Sequence, residues 1–169
     1  APLKLKEIIV SLIFTALIRT LIGLVPAIML TSPLFGVSIL KLGLPLLFLF
    51  LSLYLFGITL GLFVSSGLIR FGPSFENIAW SSLFLLAPLG CIYYPIEILP
   101  DWLQTVAKLL PLVHIFEEMR NVLIHDIINY YQILKAIIIS FIYFVFGIIV
   151  FYLSYEGAKN RGTLMNMGE

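Results

Sequence analysis

Long apolar runs, rather than amphipathic stripes, dominate this chain. Ile9 to Leu30, Leu42 to Val64, Ile78 to Pro95 and Ile133 to Tyr155 each approach or exceed the roughly 20 residues that an α-helix needs to cross a bilayer. Backbone polar groups inside lipid must be satisfied within the segment, so such runs are expected to be helices. Of the residues, 61% are hydrophobic and only 11% charged, whereas a soluble domain carries about 25% charged residues. The surface therefore cannot be mainly aqueous. The expected fold is an all-α integral membrane protein, a single transmembrane domain over residues 1–169. It has four spans at about 9–30, 42–64, 78–95 and 133–155.

The formal net charge of +1 points neither to nucleic acid nor to a strongly polybasic membrane tail. Cys91 is the one cysteine, which excludes an intrachain disulfide and a cysteine-based zinc site. The chain starts at Ala1 without methionine or a cleavable signal, as a processed product or the tail of a longer protein would.

Punctuation marks the organisation. Thr31-Ser32-Pro33 is the expected exit of the first span, which contains Arg19, Gly23 and Pro26. Gly57-Ile58-Thr59-Leu60-Gly61 in the second is a small-xxx-small ridge suited to packing against another helix of the same protein. Ser65-Ser66-Gly67 should end that span, with a polar turn at Arg70-Phe71-Gly72-Pro73-Ser74. Pro88, Gly90 and Pro95 break the third. Asp101 reads as the N-cap of a short helix, with Gln104 three residues on, and Pro111 stops it. Leu112, Ile115, Phe116, Met119, Val122, Leu123 and Ile127 recur at helical spacing opposite Glu118, Asn121 and His125, giving a second short helix to about Ile128. Residues 96–130 thus form a broken, re-entrant or extracellular helix pair between the last two spans, and residues 156–169 a polar tail. With both termini inside, Lys4, Lys6, Arg70, Lys159 and Arg161 are cytoplasmic against Lys41, Lys108, Arg120 and Lys135 outside, a small bias in the expected direction.

Phe71-Gly72-Pro73-Ser74, Tyr93-Tyr94-Pro95-Ile96, Leu99-Pro100-Asp101-Trp102-Leu103-Gln104, Leu110-Pro111-Leu112 and Phe116-Glu117-Glu118-Met119-Arg120 follow one another after a span. In that order and spacing they resemble the C-terminal signature of type-2 ATP-binding-cassette (ABC) exporter permeases. Pro2-Leu3 followed by Glu7-Ile8 is similar to that family's cytoplasmic coupling helix, here residues 1–8, and Ala158 to Leu164 to its basic cytoplasmic end. Such permeases have six spans, so the resemblance implies that the first two are missing here. It also implies a homo- or heterodimer with a second permease subunit in membrane lipid, and separate ABC ATPase subunits. The expected place is the plasma membrane, or bacterial inner membrane, with both termini cytoplasmic. Pro2, Leu3, Lys4 and Glu7 would contact the ATPase. No G-x-x-x-x-G-K-[ST] loop occurs, so ATP and Mg would sit on the partner, with no cofactor and no catalytic role on this chain. A membrane-embedded lipid-modifying enzyme or scaffold acting without ATP is the alternative from a different class.

The expected substrate-pathway or outer-gate residues are Arg19, Tyr93, Tyr94, Pro95, Pro100, Trp102, Pro111, Glu118 and Arg120. Arg19 lies near mid-bilayer, where an unpaired cation costs about 2.5 to 3.5 kcal/mol. A buried ion pair or carbonyl contact with another helix is its packing reading, an anionic substrate its functional one. Glu117 and Arg120 are an i, i+3 pair. His114, Glu118 and His125 lack further ligands for a metal, and surface histidines are the plainer reading. Cys91 reads as a small packing residue. Tyr93, Tyr94, Trp102, Tyr130 and Tyr131 are aromatics of the headgroup-level kind.

Overall fold

The computed structural model describes residues 5–35, 43–125 and 127–160. In chain order the helices are α1 (Leu5–Phe35), α2 (Leu44–Phe71), α3 (Phe75–Leu89), α4 (Asp101–Ala107), α5 (Pro111–His125) and α6 (Tyr130–Asn160), with a 3-10 turn at Ile96–Ile98 between α3 and α4. No strand occurs among the described residues. The all-α membrane fold is as the apolar runs require. Three of the helices, α1, α2 and α6, are long and apolar enough to cross a bilayer.

The expected third span is shorter than the sequence implies. α3 has 15 residues, a length of about 22 Å against a hydrocarbon core of about 30 Å. Pro88 in its last turn withholds a backbone donor, and Gly90 closes the helix by donating to Leu86 O. Other boundaries move outward. α1 runs unbroken through Pro26 and Pro33 to Phe35, past the expected exit at Thr31. Its start at Leu5 leaves no break between the described part of the expected coupling helix and the span. α2 continues through Ser65-Ser66-Gly67 to Phe71, because a turn of small residues does not stop a helix whose carbonyls stay paired. Gly72, at φ 76°, does. The turn to α3 is compact since Gly67 has no Cβ; one built there would overlap the Phe75 ring.

α2 and α6 form the central pair. Pro45, Leu49, Ser52, Phe56, Thr59 and Ser66 are buried along α2, with Ile133, Ala136, Ser140 and Gly147 along α6. Both sets repeat at steps of three and four, the seam of two helices crossing at a shallow angle. Small residues let the backbones close: a Cβ on Gly147 would stand 3.1 Å from Thr59 Cγ2. The hydroxyls on α2 are satisfied within their own helix, Ser52 donating to Phe48 O at 3.0 Å and Thr59 to Leu55 O at 2.9 Å. Aromatic edges fill the rest, Phe56 against Tyr143 at 5.7 Å between centroids. The expected ridge is corrected here. Gly57 and Gly61 face away from this seam with nothing within 4 Å of a built Cβ.

α5 lies across this pair. Ile115 and Val122 pack with Leu49, Ile133 and Ala136. On its other side Val113 joins Cys91, Leu99 and Ala107, so the α3–α5 connection has a core of its own.

Candidate functional site

The chain reverses where α3 ends. A Cβ on Gly90 would meet Leu112 Cδ1 at 2.8 Å, so glycine lets the start of α5 press against the turn. Cys91 follows, fully buried and in the left-handed region at φ 54°. A non-glycine residue adopts that conformation at a cost and is kept there by its surroundings. Pro95 and Pro100 then hold extended backbone, ψ 154° and 147°, immediately before the 3-10 turn and α4. Pro111 occupies the first position of α5, where its missing N–H costs nothing. The three prolines therefore make three corners. Asp101 is not the cap expected: Pro100 takes that position, no side chain caps α4, and Gln104 Nε2 donates back to Leu99 O at 2.8 Å instead.

The reversed segment is gripped from α5 by one ion pair. Arg120 Nη1 donates to Glu117 Oε1 at 2.6 Å. Arg120 Nη2 donates to Cys91 O at 2.9 Å and Tyr94 O at 3.2 Å, while Glu117 Oε1 also accepts from Ile96 N–H at 3.0 Å. Cys91 N–H and Ile92 N–H still donate to Pro88 O and Ala87 O at the end of α3, but the carbonyls of Cys91 and Tyr94 and the Ile96 N–H are met by these charged groups in place of a ladder. Tyr94 adds a bond from its hydroxyl to Pro88 O at 2.8 Å, and is thus half-buried over the end of α3 rather than a free headgroup aromatic.

One turn away, α5 buries two further polar side chains. His114 is buried rather than a surface histidine, and its Nε2 lies 2.9 Å from Lys108 O, so that nitrogen carries the proton. Burial is the main cause that lowers its basicity. Glu118 is 0% exposed. Its Oε1 accepts from Asn129 N–H, and Oε2 has no partner among the described residues. Asn129 Oδ1 in turn accepts from Tyr131 N–H at 3.1 Å, capping α6. Glu118 thus holds the residue that starts the last span. Burial raises its carboxyl above the ordinary value, the Asn129 N–H pulling the other way.

The fold brings together Tyr94, Pro95 and Arg120 of the sequence candidates, with Glu117, while Glu118 stands beside them on α5. Tyr93 and Trp102 are exposed, Trp102 on the outer side of α4. Arg19 lies elsewhere, on α1. It is exposed on that helix. Pro2, Leu3 and Lys4 lie outside the described residues; Glu7 is exposed in the first turn of α1. No group of three or more potential metal ligands forms among the described residues.

A cavity of about 470 Å³ separates α1 from α2, lined by Leu12, Ile13 and Ala16 on one side and by Tyr54, Gly57 and Gly61 on the other. Tyr54 bridges it by donating its hydroxyl to Ile13 O. The sequence reading missed this residue. A hydroxyl amid an apolar run was the available signal, because inside a bilayer it must find a partner.

A family model described as ABC-2 type transporter matches residues 1–124. No curated protein and no solved structure matches the chain.

Proposed function

The chain belongs to the ABC-2 type transporter family, and from that premise we propose that this permease subunit serves an ATP-driven exporter. In this reading two permease subunits enclose a pathway, and separate ATPase subunits hold ATP and Mg and dock near residues 1–8. The protein sits in a plasma membrane, or bacterial inner membrane, with both of its ends cytoplasmic.

The observation that supports the reading best is the Glu117–Arg120 grip on residues 91–96. An irregular segment at membrane depth persists only where protein or water surrounds it. Here it is stapled by charges that are each about a quarter exposed, strong enough to hold a closed state and accessible enough to be released. Hydrogen bonds to charged groups contribute about 1.5–3 kcal/mol when buried, and partial exposure reduces that. A grip of this size suits a gate that must open once per cycle. Tyr94, Pro95 and Arg120 would form its fixed part, and Pro100, Pro111 and Glu118 its hinges.

The test is efflux from vesicles holding the full permease with a co-expressed ATPase. Cysteines at Leu3 or Lys4 should cross-link to that ATPase, and efflux should need ATP. Absence of adducts in an active complex would remove the docking assignment. Lipid turnover independent of ATP would favour the lipid-modifying alternative.

A further inference from the structure

The cavity between α1 and α2 has a third wall, Phe151 of α6. Its lining along α2 runs from Phe50 to Ser65, about 22 Å of helix at 1.5 Å per residue. Its volume of about 470 Å³ spread over that length averages about 20 Å² in section, the width of one extended hydrocarbon chain. Gly57 and Gly61 leave the α2 side smooth, with nothing within 4 Å of a Cβ built on either. Other occupants fail on chemistry or on width. No charged side chain is among the described residues that line the channel, so an ion or a headgroup finds no counter-charge there. Tyr54 and Thr20 already donate their hydroxyls within the wall, to Ile13 O and Ala16 O, whereas an enclosed water needs 2–4 polar partners. A helix with its side chains is about 10–12 Å across, too wide for a gap that one tyrosine side chain bridges. Left empty, the gap would forfeit dispersion contacts along both helices.

We propose that this channel is a binding site for one acyl chain of a membrane phospholipid, held between α1 and α2 as a resident and not as part of the exchanging bilayer. The chain lies over Gly57 and Gly61 and meets Leu12, Ile13 and Ala16 on the facing helix. It acts as a spacer. None of the crossing window of α1 is buried by the protein itself, so on this side α1 is seated by the lipid chain together with the Tyr54 bond to Ile13 O. This inference needs only that the protein spans a membrane; it does not depend on the exporter reading.

Phosphatidylcholine carrying a diazirine on one acyl chain tests it. The full permease is reconstituted in phosphatidylcholine–phosphatidylglycerol vesicles with a trace of this lipid and irradiated, and its adducts are located by peptide mass spectrometry. Adducts should be several-fold more abundant on residues 12–20 and 50–65 than at exposed apolar positions of α6 such as Phe141 and Ile142. The double variant Gly57→Leu, Gly61→Leu fills the channel. It should cut the channel adducts several-fold and leave those on α6 unchanged, which also shows that the variant is inserted and folded. Ser65→Leu, at one end of the lining, is a second block that leaves both glycines in place. Equal yields on both surfaces, untouched by either block, would mean bulk lipid only and overturn the proposal. Absence of channel adducts beside normal α6 adducts would mean that α1 closes on α2, or that a second copy or another helix covers the gap, and would overturn it equally.

Discussion

Glu117 and Arg120, one turn apart on α5, meet at 2.6 Å while each keeps a second hold on the segment from Cys91 to Ile96. The two side chains do different work. Arg120 supplies two donors to two carbonyls, which a lysine ammonium cannot match in a fixed fork. Glu117 supplies one acceptor to one amide.

Replacing Arg120 should therefore hurt more than replacing Glu117. Arg120→Gln and Arg120→Lys are expected to cost about 2 kcal/mol or more and to speed hydrogen exchange across residues 92–96. Glu117→Gln keeps an oxygen for Ile96 N–H and should fall well short of that. Near-normal exchange and efflux in Arg120→Lys, beside equal losses in Arg120→Gln and Glu117→Gln, would mean that the pair acts as a bulk charge rather than as a fork.

Glu118 predicts a pH dependence. Its folded-state pKa is raised, so the folded form binds the proton more tightly than the unfolded chain does. The stability it contributes is complete below the unfolded value and is lost as pH rises through the higher folded value. The α5–α6 corner should accordingly lose exchange protection at residues 129–133 as pH climbs from the acid side. Glu118→Gln should flatten that profile. Glu118→Ala leaves Asn129 N–H unpartnered, at about 1–3 kcal/mol, at every pH.

The α2–α6 seam admits almost nothing larger than hydrogen at Gly147. Gly147→Leu should overpack it against Thr59 and destabilise by about 1–3 kcal/mol or more, measured by unfolding in mixed detergent. Gly57→Leu and Gly61→Leu, which face the open cavity, should be tolerated far better. Matching losses at all three sites would contradict the assigned seam.

Pro95 and Pro100 pre-set the extended backbone at two corners. Their joint replacement by Ala widens the unfolded ensemble by about 0.4–1 kcal/mol per site. Efflux should drop while expression and complex yield stay near normal. Normal efflux would make the corners incidental.

The crossing helices were legible because length and hydropathy alone decide whether a segment can span lipid. The three corners were legible because proline acts locally. The Glu117–Arg120 pair followed from i, i+3 spacing, but its grip on Cys91, Tyr94 and Ile96 did not. Those partners are backbone groups 21 to 29 residues away, and nothing in a local pattern points to a carbonyl. The small-residue ridge misled for a related reason: Gly57 and Gly61 have the right spacing, yet Ser52, Thr59 and Ser66 recur every seven residues and form the real seam. The short α3 reflects Pro88 and Gly90 acting earlier than the apolar run itself ends.

α1 is an unbroken helix of 31 residues, none of its crossing window is buried, and Tyr54 pins it at Ile13. That pin divides it unequally. At 1.5 Å per residue, about 12 Å of helix lies before Ile13 and about 33 Å after it. Pro26 withholds a backbone donor in the longer arm and lets it bend there, so the stiff part beyond the pin is about 20 Å and a push of about 1 Å at the Leu5 end becomes about 1.6 Å at Pro26, by simple lever geometry.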